Sequence, residues 1–221
     1  MVALHLATSA AKRLNVPYLR ALHIDTTVAF PENLEYVKRI CSRIQIPLDV
    51  IRPEVDFWSR VREFGFPTVT RRWCTKYMKF FPTRKFLKKH DFVILIDGIR
   101  KSESSERAKR YKEEVTRYWN LRNRYVIHPI LNWSKRDVEE YIKRQNLEKN
   151  PLYDIYDTAG CYYCPFLHIK HYLKLKFHHP ELFQKIVEAE KEMKGSSAFI
   201  TNHGRKIYAR NLITQTNLSR L

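Results

Sequence analysis

The stretch FVILIDGIR, Phe92 to Arg100, decides how this chain is read. Five apolar residues in a row ahead of Asp97 describe a strand buried on both faces, the habit of a parallel sheet. Working outward, PYLRALHID, which ends in Asp25, and PLDVIRPE, Pro47 to Glu54, read as two further strands. Between them Pro31 and Glu32 open a helix in which Leu34, Val37, Ile40, Cys41 and Ile44 recur at helical spacing. Cys41 is therefore expected to be a buried packing residue. The opening VALHLATSAAKRL reads as the rear of another helix. Strand and helix alternating in this way imply crossover units. The expected class is α/β, an open parallel sheet with helices on both faces.

Between the second and third strands, GFPTVTRRWCTKYMKFFP reads as a loop-rich insertion, followed by a short helix from Thr83 to about His90. From Lys101 to Arg124 the chain is charged and aromatic without clear periodicity, so a mobile, partly helical excursion over a binding face is expected. Ser134 with Asp137 makes a capping-box start for a helix continued by Val138, Tyr141 and Ile142. A last helix runs from Pro180 to about Lys194 and stops at Gly195. The final 21 residues hold Arg205, Lys206, Arg210 and Arg220 without an acid, a basic tail. The expected division is 1–132, a nucleotide-binding domain, and 133–221, a helical, cysteine-bearing appendage.

Composition narrows the function classes. Across 221 residues, 41 Lys and Arg face 23 acids, a formal charge of +18, which favours nucleotides or nucleic acid as partners, although a generally basic surface explains the same number. A hydrophobic fraction of 44% is that of a folded protein. No apolar run approaches the roughly 20 residues of a membrane span, and MVALHLATSA lacks the form of a signal peptide. A cytoplasmic protein with no membrane partner is expected. Four cysteines in a reducing compartment point to metal, cluster or thiol chemistry.

Ligands of open parallel sheets bind beyond the carboxyl ends of the strands. At the first such end, Asp25 can accept hydrogen bonds from a ribose or amine, and Thr26 and Thr27 can donate to phosphate or base; a plain helix cap is the competing reading. At the second, Gly98 permits close approach of a ligand to the backbone and Arg100 offers a planar fork for phosphate or sulfate; the competing reading is a turn before a solvated helix. Arg71, Arg72, Lys76 and Lys79 surround Cys74 and are expected to favour its thiolate. With Cys161 and Cys164 of GCYYCPF, Cys74 would make a three-thiolate set whose fourth position is open or filled by His168 or His171. Zinc, an iron-sulfur cluster or a redox pair all suit that spacing.

Seven segments in register carry a resemblance: VALHLA, IDTTVAFPENLEYV, PLDVIRPEVDFW, GFPTVTRRWCTKYMKFFP, DGIRKSESSERAKR, PILNWSKRDVEEYI and NPLYDIYDTAGCYYCP. Together they resemble the phosphoadenosine phosphosulfate (PAPS) reductase family of the adenine nucleotide alpha-hydrolase-like (PP-loop) superfamily. The resemblance implies that Asp25, Thr26 and Thr27 lie beside the adenosine, that Gly98 and Arg100 follow a ligand-binding strand, and that Arg71, Arg72, Lys79 and Arg107 face phosphate or sulfate. It implies an adenylyl nucleotide, ATP or PAPS/APS, as substrate or activator. Relatives with a 4Fe-4S cluster hold it by a cysteine pair in the basic loop plus a later Cys-x-x-Cys; here only Cys74 stands in the loop, which implies a three-cysteine cluster or zinc. Family members carry a strand and an S-G-G-x-D-S loop ahead of the first helix, and this sequence begins just past them, so the first strand is expected to be missing and phosphate binding weak. No cysteine follows Cys164, which speaks against thioredoxin-dependent reduction by a terminal thiol. The function implied is a reductase or sulfurtransferase of sulfur metabolism, served by a sulfur- or electron-donor protein. Two alternatives stand beside it: an ATP pyrophosphatase for phosphorothioation of DNA or thiolation of tRNA, and a non-catalytic nucleic-acid or nucleotide module with structural zinc.

Overall fold

The computed structural model describes residues 1–90, 94–118, 124–193, 200–202 and 205–213. The chain opens with helix α1 (Val2–Arg13), strand β1 (Ala21–Ile24), helix α2 (Pro31–Arg43) and strand β2 (Leu48–Ile51). Helix α3 (Phe57–Phe64) follows, then a π-helix over Thr75–Phe80 that runs into α4 (Phe81–Lys88). Strand β3 (Ile94–Ile96), a 3-10 turn (Lys101–Glu103), α5 (Ser105–Arg110), β4 (Val115–Arg117), β5 (Tyr125–Ile127) and α6 (Lys135–Arg144) come next. The remainder holds a 3-10 turn (Pro151–Asp154), α7 (Ile169–His178), α8 (Pro180–Glu192), the hairpin β6 (Ile200–Asn202) and β7 (Arg205–Ile207), and α9 (Ala209–Ile213).

Strand pairing has the parallel character expected. Ala21 N–H donates to Pro47 O and Asp25 N–H to Ile51 O, so β1 and β2 advance in the same direction across the crossover helix α2. β3 pairs in parallel with β5, Leu95 opposite Val126. β4 adds to the other side of β5 in antiparallel register, Thr116 opposite Val126. The order is β3-β5-β4. β4 lies inside the segment expected to be a partly helical excursion; a three-residue strand is too short to show a period of two. The α/β class stands.

Two compact units form. The first comprises Met1–Ala21, Cys41–Asp49 and Arg84–Lys149, and its core gathers Val2, Ile130 and Tyr141 with Leu6, Trp133 and Val138. Cys41 is buried there at 2% exposure, as its helical spacing indicated. The second comprises Leu22–Ile40, Val50–Thr83 and Asn150–Leu221. Its larger core is aromatic: Phe30, Phe57, Tyr156, Tyr163 and Tyr172 are each buried at 2% or less. Rings this size bury about 150–250 Å² apiece, which lets a unit of short helices close a core.

Helix boundaries follow the local chemistry. Ser134 and Asp137 form the capping box of α6, each side chain accepting from the other's N–H. Asp56 caps α3 through Trp58 and Ser59 N–H, a start that PEVDFW conceals because one turn of apolar residues has no period. Asn15 and Asn146 carry α1 and α6 out of their last turns at φ 50° and 46°, the left-handed exit asparagine tolerates. α8 starts at Pro180 as expected and ends at Glu192 with Met193 as its cap. The expected stop at Gly195 and the end of the basic tail, including Arg220, lie outside the described residues, as does the start of the strand at Phe92. Among the described residues no helix is long and apolar enough to cross a membrane.

Candidate functional site

Beyond β1 the chain makes a strained turn. The Asp25 carboxylate accepts from Thr27 N–H at 2.9 Å and from Arg52 Nε at 2.8 Å. Thr27 sits at φ 59°, a left-handed conformation that β-branched residues rarely adopt. Its hydroxyl donates to Thr26 O at 2.7 Å and accepts from Phe57 N–H at 2.8 Å, so the surrounding bonds over-determine the strain. Such strain is concentrated at ligand clamps and active sites. Thr26 is buried at 4% exposure, and its hydroxyl lies 3.3 Å from Cys161 Sγ.

The cysteine pair reaches this turn by backbone pairing. Tyr162 N–H donates to Val28 O at 2.9 Å, and Ala29 and Cys161 form an antiparallel bridge. Three buried tyrosines then pin the loop. Tyr162 accepts from Trp58 Nε1 at 3.1 Å, Tyr163 donates to Pro67 O at 3.1 Å, and Tyr172 accepts from Cys164 N–H while donating to Cys164 O at 2.7 Å. Cys74 comes from a separate segment. Trp73 anchors it, with Nε1 donating to Gly65 O at 3.0 Å and the ring stacked on Phe57, and Cys74 caps the π-helix.

All three cysteines are free and half-buried. Burial pushes the Cys74 thiol up, Cys164 and Cys161 add to that push, and Lys79 opposes it. Burial also raises Cys164, against the Phe166 N–H, Lys79 and Arg72. The structure corrects the expectation that basic neighbours hold Cys74 as thiolate: desolvation outweighs the nearby cation. The two histidines considered as a fourth ligand are committed elsewhere. His171 is buried and its Nε2 donates to Tyr162 O at 3.2 Å, while His168 caps α7 by accepting Lys170 N–H. Among the described residues no three His, Cys, Asp or Glu side chains form a group able to hold a metal ion. As folded, Cys74, Cys161 and Cys164 do not converge into a set that fits zinc or a 4Fe-4S cluster.

The other strand end, in the first unit, follows β3. Asp97 Oδ1 accepts from Ile99 N–H at 3.1 Å and bonds His128 Nδ1 at 2.7 Å. His128 is buried at 1% exposure, its Nε2 lies 3.3 Å from the Thr116 hydroxyl, and its ring meets Tyr111 edge-on. One imidazole thus ties the start of the Gly98–Tyr111 segment to its far end. Arg100 Nη2 makes a long 3.5 Å contact with Glu103, which also pairs with Arg107, whereas Arg100 Nη1 is buried without a hydrogen-bond partner among the described residues. A buried guanidinium nitrogen left unpaired is unfavourable until an anion or carbonyl meets it. A methyl group added at Gly98 would make only ordinary contact with Ala3 and Ile130, at 3.7 and 3.8 Å.

Residues 1–167 match the family described as phosphoadenosine phosphosulfate reductase domain. The chain belongs to that family. Two uncharacterized proteins of Methanocaldococcus jannaschii are similar, one 34% identical over 78% of this chain and 42% of its own length, the other 33% identical over 73% and 34%. A phosphoadenosine 5'-phosphosulfate reductase of Xanthomonas axonopodis pv. citri is 30% identical over 69% of this chain and 61% of its own. The chain therefore spans less than two thirds of the length of these curated relatives. A crystal structure of PAPS reductase from Candida auris, in complex with phosphate, superposes with a TM-score of 0.54 at 18% identity, over 71% of this chain and 75% of that one. That likeness speaks for the fold. Membership speaks for an enzyme family of sulfur metabolism associated with an adenylyl nucleotide.

Of the residues singled out in the PAPS reductase-like sequence, Asp25, Thr26, Thr27, Arg71, Arg72, Cys74, Lys79, Cys161 and Cys164 fall in the second unit, and Gly98, Arg100 and Arg107 in the first. Within the second unit, Thr26 meets Cys161, and Arg72 and Lys79 act on the thiols. Arg52 and His128 were not anticipated. Arg52 follows β2 as Asp25 follows β1, a symmetry that pairs them. A lone histidine after the apolar YVI of β5 reads as core filling, so His128 had no sequence signal.

Proposed function

We infer that this chain provides the nucleotide-binding and sulfur-handling parts of a PAPS reductase-family enzyme. The substrate or activator is an adenylyl nucleotide, with Asp25, Thr26, Thr27, Gly98 and Arg100 as its contacts and Arg71, Arg72, Lys79 and Arg107 as contacts to its anionic groups. Sulfur is handled by Cys74, Cys161 and Cys164, as reductase or sulfurtransferase. One observation carries this reading: the Cys161 thiol of the Cys-x-x-Cys pair lies 3.3 Å from the Thr26 hydroxyl, at the strand end where a nucleotide is expected. A thiol attacks sulfur only as thiolate, so a raised thiol makes deprotonation part of the reaction. Lys79 and Arg72 favour the charged form at Cys164 and are suited to stabilise it as it develops.

Calorimetry with ATP and with PAPS tests the nucleotide half. Arg100→Ala is expected to weaken binding by roughly 1.5–3 kcal/mol, the worth of a charge-assisted hydrogen bond. Unchanged affinity refutes that contact. Iron, zinc and sulfide analysis after anaerobic purification tests the thiol half. Substoichiometric metal is expected; a stoichiometric cluster or zinc ion that is lost in Cys161→Ala would replace free thiols by metal ligands.

A further inference from the structure

The second unit carries exposed aromatic rings that neither the thiols nor the nucleotide contacts explain. From Gly65 to His90 the chain holds eight Lys and Arg and neither Asp nor Glu. In this unit exposed aromatic rings stand beside those cations, Phe81 from the same stretch and Phe166 from the loop after Cys164. Phe81 is 45% exposed and Phe166 55%. The Arg72 guanidinium lies 4.8 Å above the Phe166 ring centre, and Lys76 Nζ lies 5.4 Å from that of Phe81 and 5.5 Å from that of Tyr77. Exposed rings of this size lose free energy by standing in water, and stacking on a flat partner recovers it.

We propose that Arg71, Arg72, Lys76, Phe81 and Phe166 form a binding face for single-stranded nucleic acid. This rests on the sulfur-handling reading above and names the class of acceptor presented to the thiols. Phosphates call for the arginines and lysines, and unstacked bases call for ring faces; exposed rings topped by cations supply both. An acidic peptide would use the charges and leave the rings idle. A duplex keeps its bases stacked on each other and has no face to offer them. Position supports the assignment, since Arg72, stacked on Phe166, also acts on the Cys164 thiol.

Fluorescence anisotropy with labelled oligo(U), oligo(dT) and a duplex of about 12 nucleotides, inside the roughly 4–16 a single binding module covers, reads the proposal directly. Saturable binding is expected for single strands and weaker binding for the duplex; the stronger of the two single strands identifies RNA or DNA. Phe81→Ala and Phe166→Ala should each weaken single-strand binding about 5-fold or more, the lower end of one base–aromatic stack, and Phe166→Tyr should keep it. Lys76→Ala should flatten the slope of log affinity against log salt by about 0.7, one phosphate's share. Circular dichroism confirms that the variants fold. If both phenylalanine variants bind like the parent, or heparin and duplex compete as well as single strands, the face is a generic polycation and the proposal is overturned. ATP and PAPS calorimetry on the same variants separates the two ideas. Intact nucleotide binding with lost oligonucleotide stacking supports both, and absent nucleotide binding in the parent removes the proposed function while the oligonucleotide result stands.

Discussion

At Thr27 a β-branched residue holds φ 59° because its hydroxyl and amide are engaged three times, with Thr26 O, Phe57 N–H and the Asp25 carboxylate. Both Thr27→Ala and Thr27→Gly lose the hydroxyl, but only glycine is released from the left-handed penalty. Denaturant unfolding should therefore find the alanine variant less stable than the glycine variant by roughly 0.5–1 kcal/mol, the reverse of their order in ordinary backbone. The thiols offer a second prediction at this scale. With Cys74 and Cys164 raised above 9.0, chiefly by burial, alkylation by iodoacetamide should be slow at neutral pH and accelerate beyond pH 9. Rapid labelling of Cys74 at pH 7 would restore the thiolate that its basic neighbours suggested. The identity of the three cysteines was legible in the spacing of GCYYC and the setting of RRWCTK, whereas their protonation was not, because desolvation is a property of the packed core and leaves no mark on neighbouring residue types.

Elements with a chemical start signal were the legible ones. Ser134 and Asp137, Pro31 and Pro180 each announce a helix that the structure contains. Ser134→Ala should lower stability by about 1 kcal/mol, the usual worth of an N-cap hydrogen bond. α3, α7 and β4 were not legible. α7 follows the Cys-x-x-Cys loop without a break in composition, and its buried residues His171, Tyr172, Leu173 and Leu175 include three in succession, which blurs the helical period. β4 owes its existence to β5, a partner that only the fold supplies. The same dependence gives His128 its role, since it bonds Asp97 on one side and approaches Thr116 of β4 on the other. His128→Phe should raise amide exchange at Ile99, whose N–H is held by Asp97, and leave Asp137 N–H in the α6 cap protected. Equal exchange at both would mean the imidazole only fills space.

For the whole molecule, titration should narrow stability from both sides. Burial pulls His171 down to about 4 from 6.5, so as pH falls the unfolded chain binds the proton first, and stability declines from about pH 6.5 to about pH 4. Burial raises Cys74 and Cys164 above 9.0 and Tyr162 to about 12, so as pH rises the unfolded chain releases those protons first and stability declines again above about pH 9. Thermal melts across this range should show a plateau between the two flanks; a melting temperature that keeps rising beyond pH 10 would contradict the buried state of these groups. The α/β class was readable at this scale from the apolar run at 92–96 and the alternation of strand and helix before it, while the division into two units, each assembled from three separated stretches, has no linker or change of composition to betray it.

The wide turn after Cys74 couples these scales. An i→i+5 winding accommodates one residue more per turn than the α-helix into which it leads. A residue removed from an ordinary α-helix swings everything beyond it by about 100°, whereas the wide turn between Thr75 and Phe80 can lose one, relax to ordinary pitch and leave the helix beyond near its present phase. The segment behaves as a phase shim that takes up one residue between Cys74 and α4.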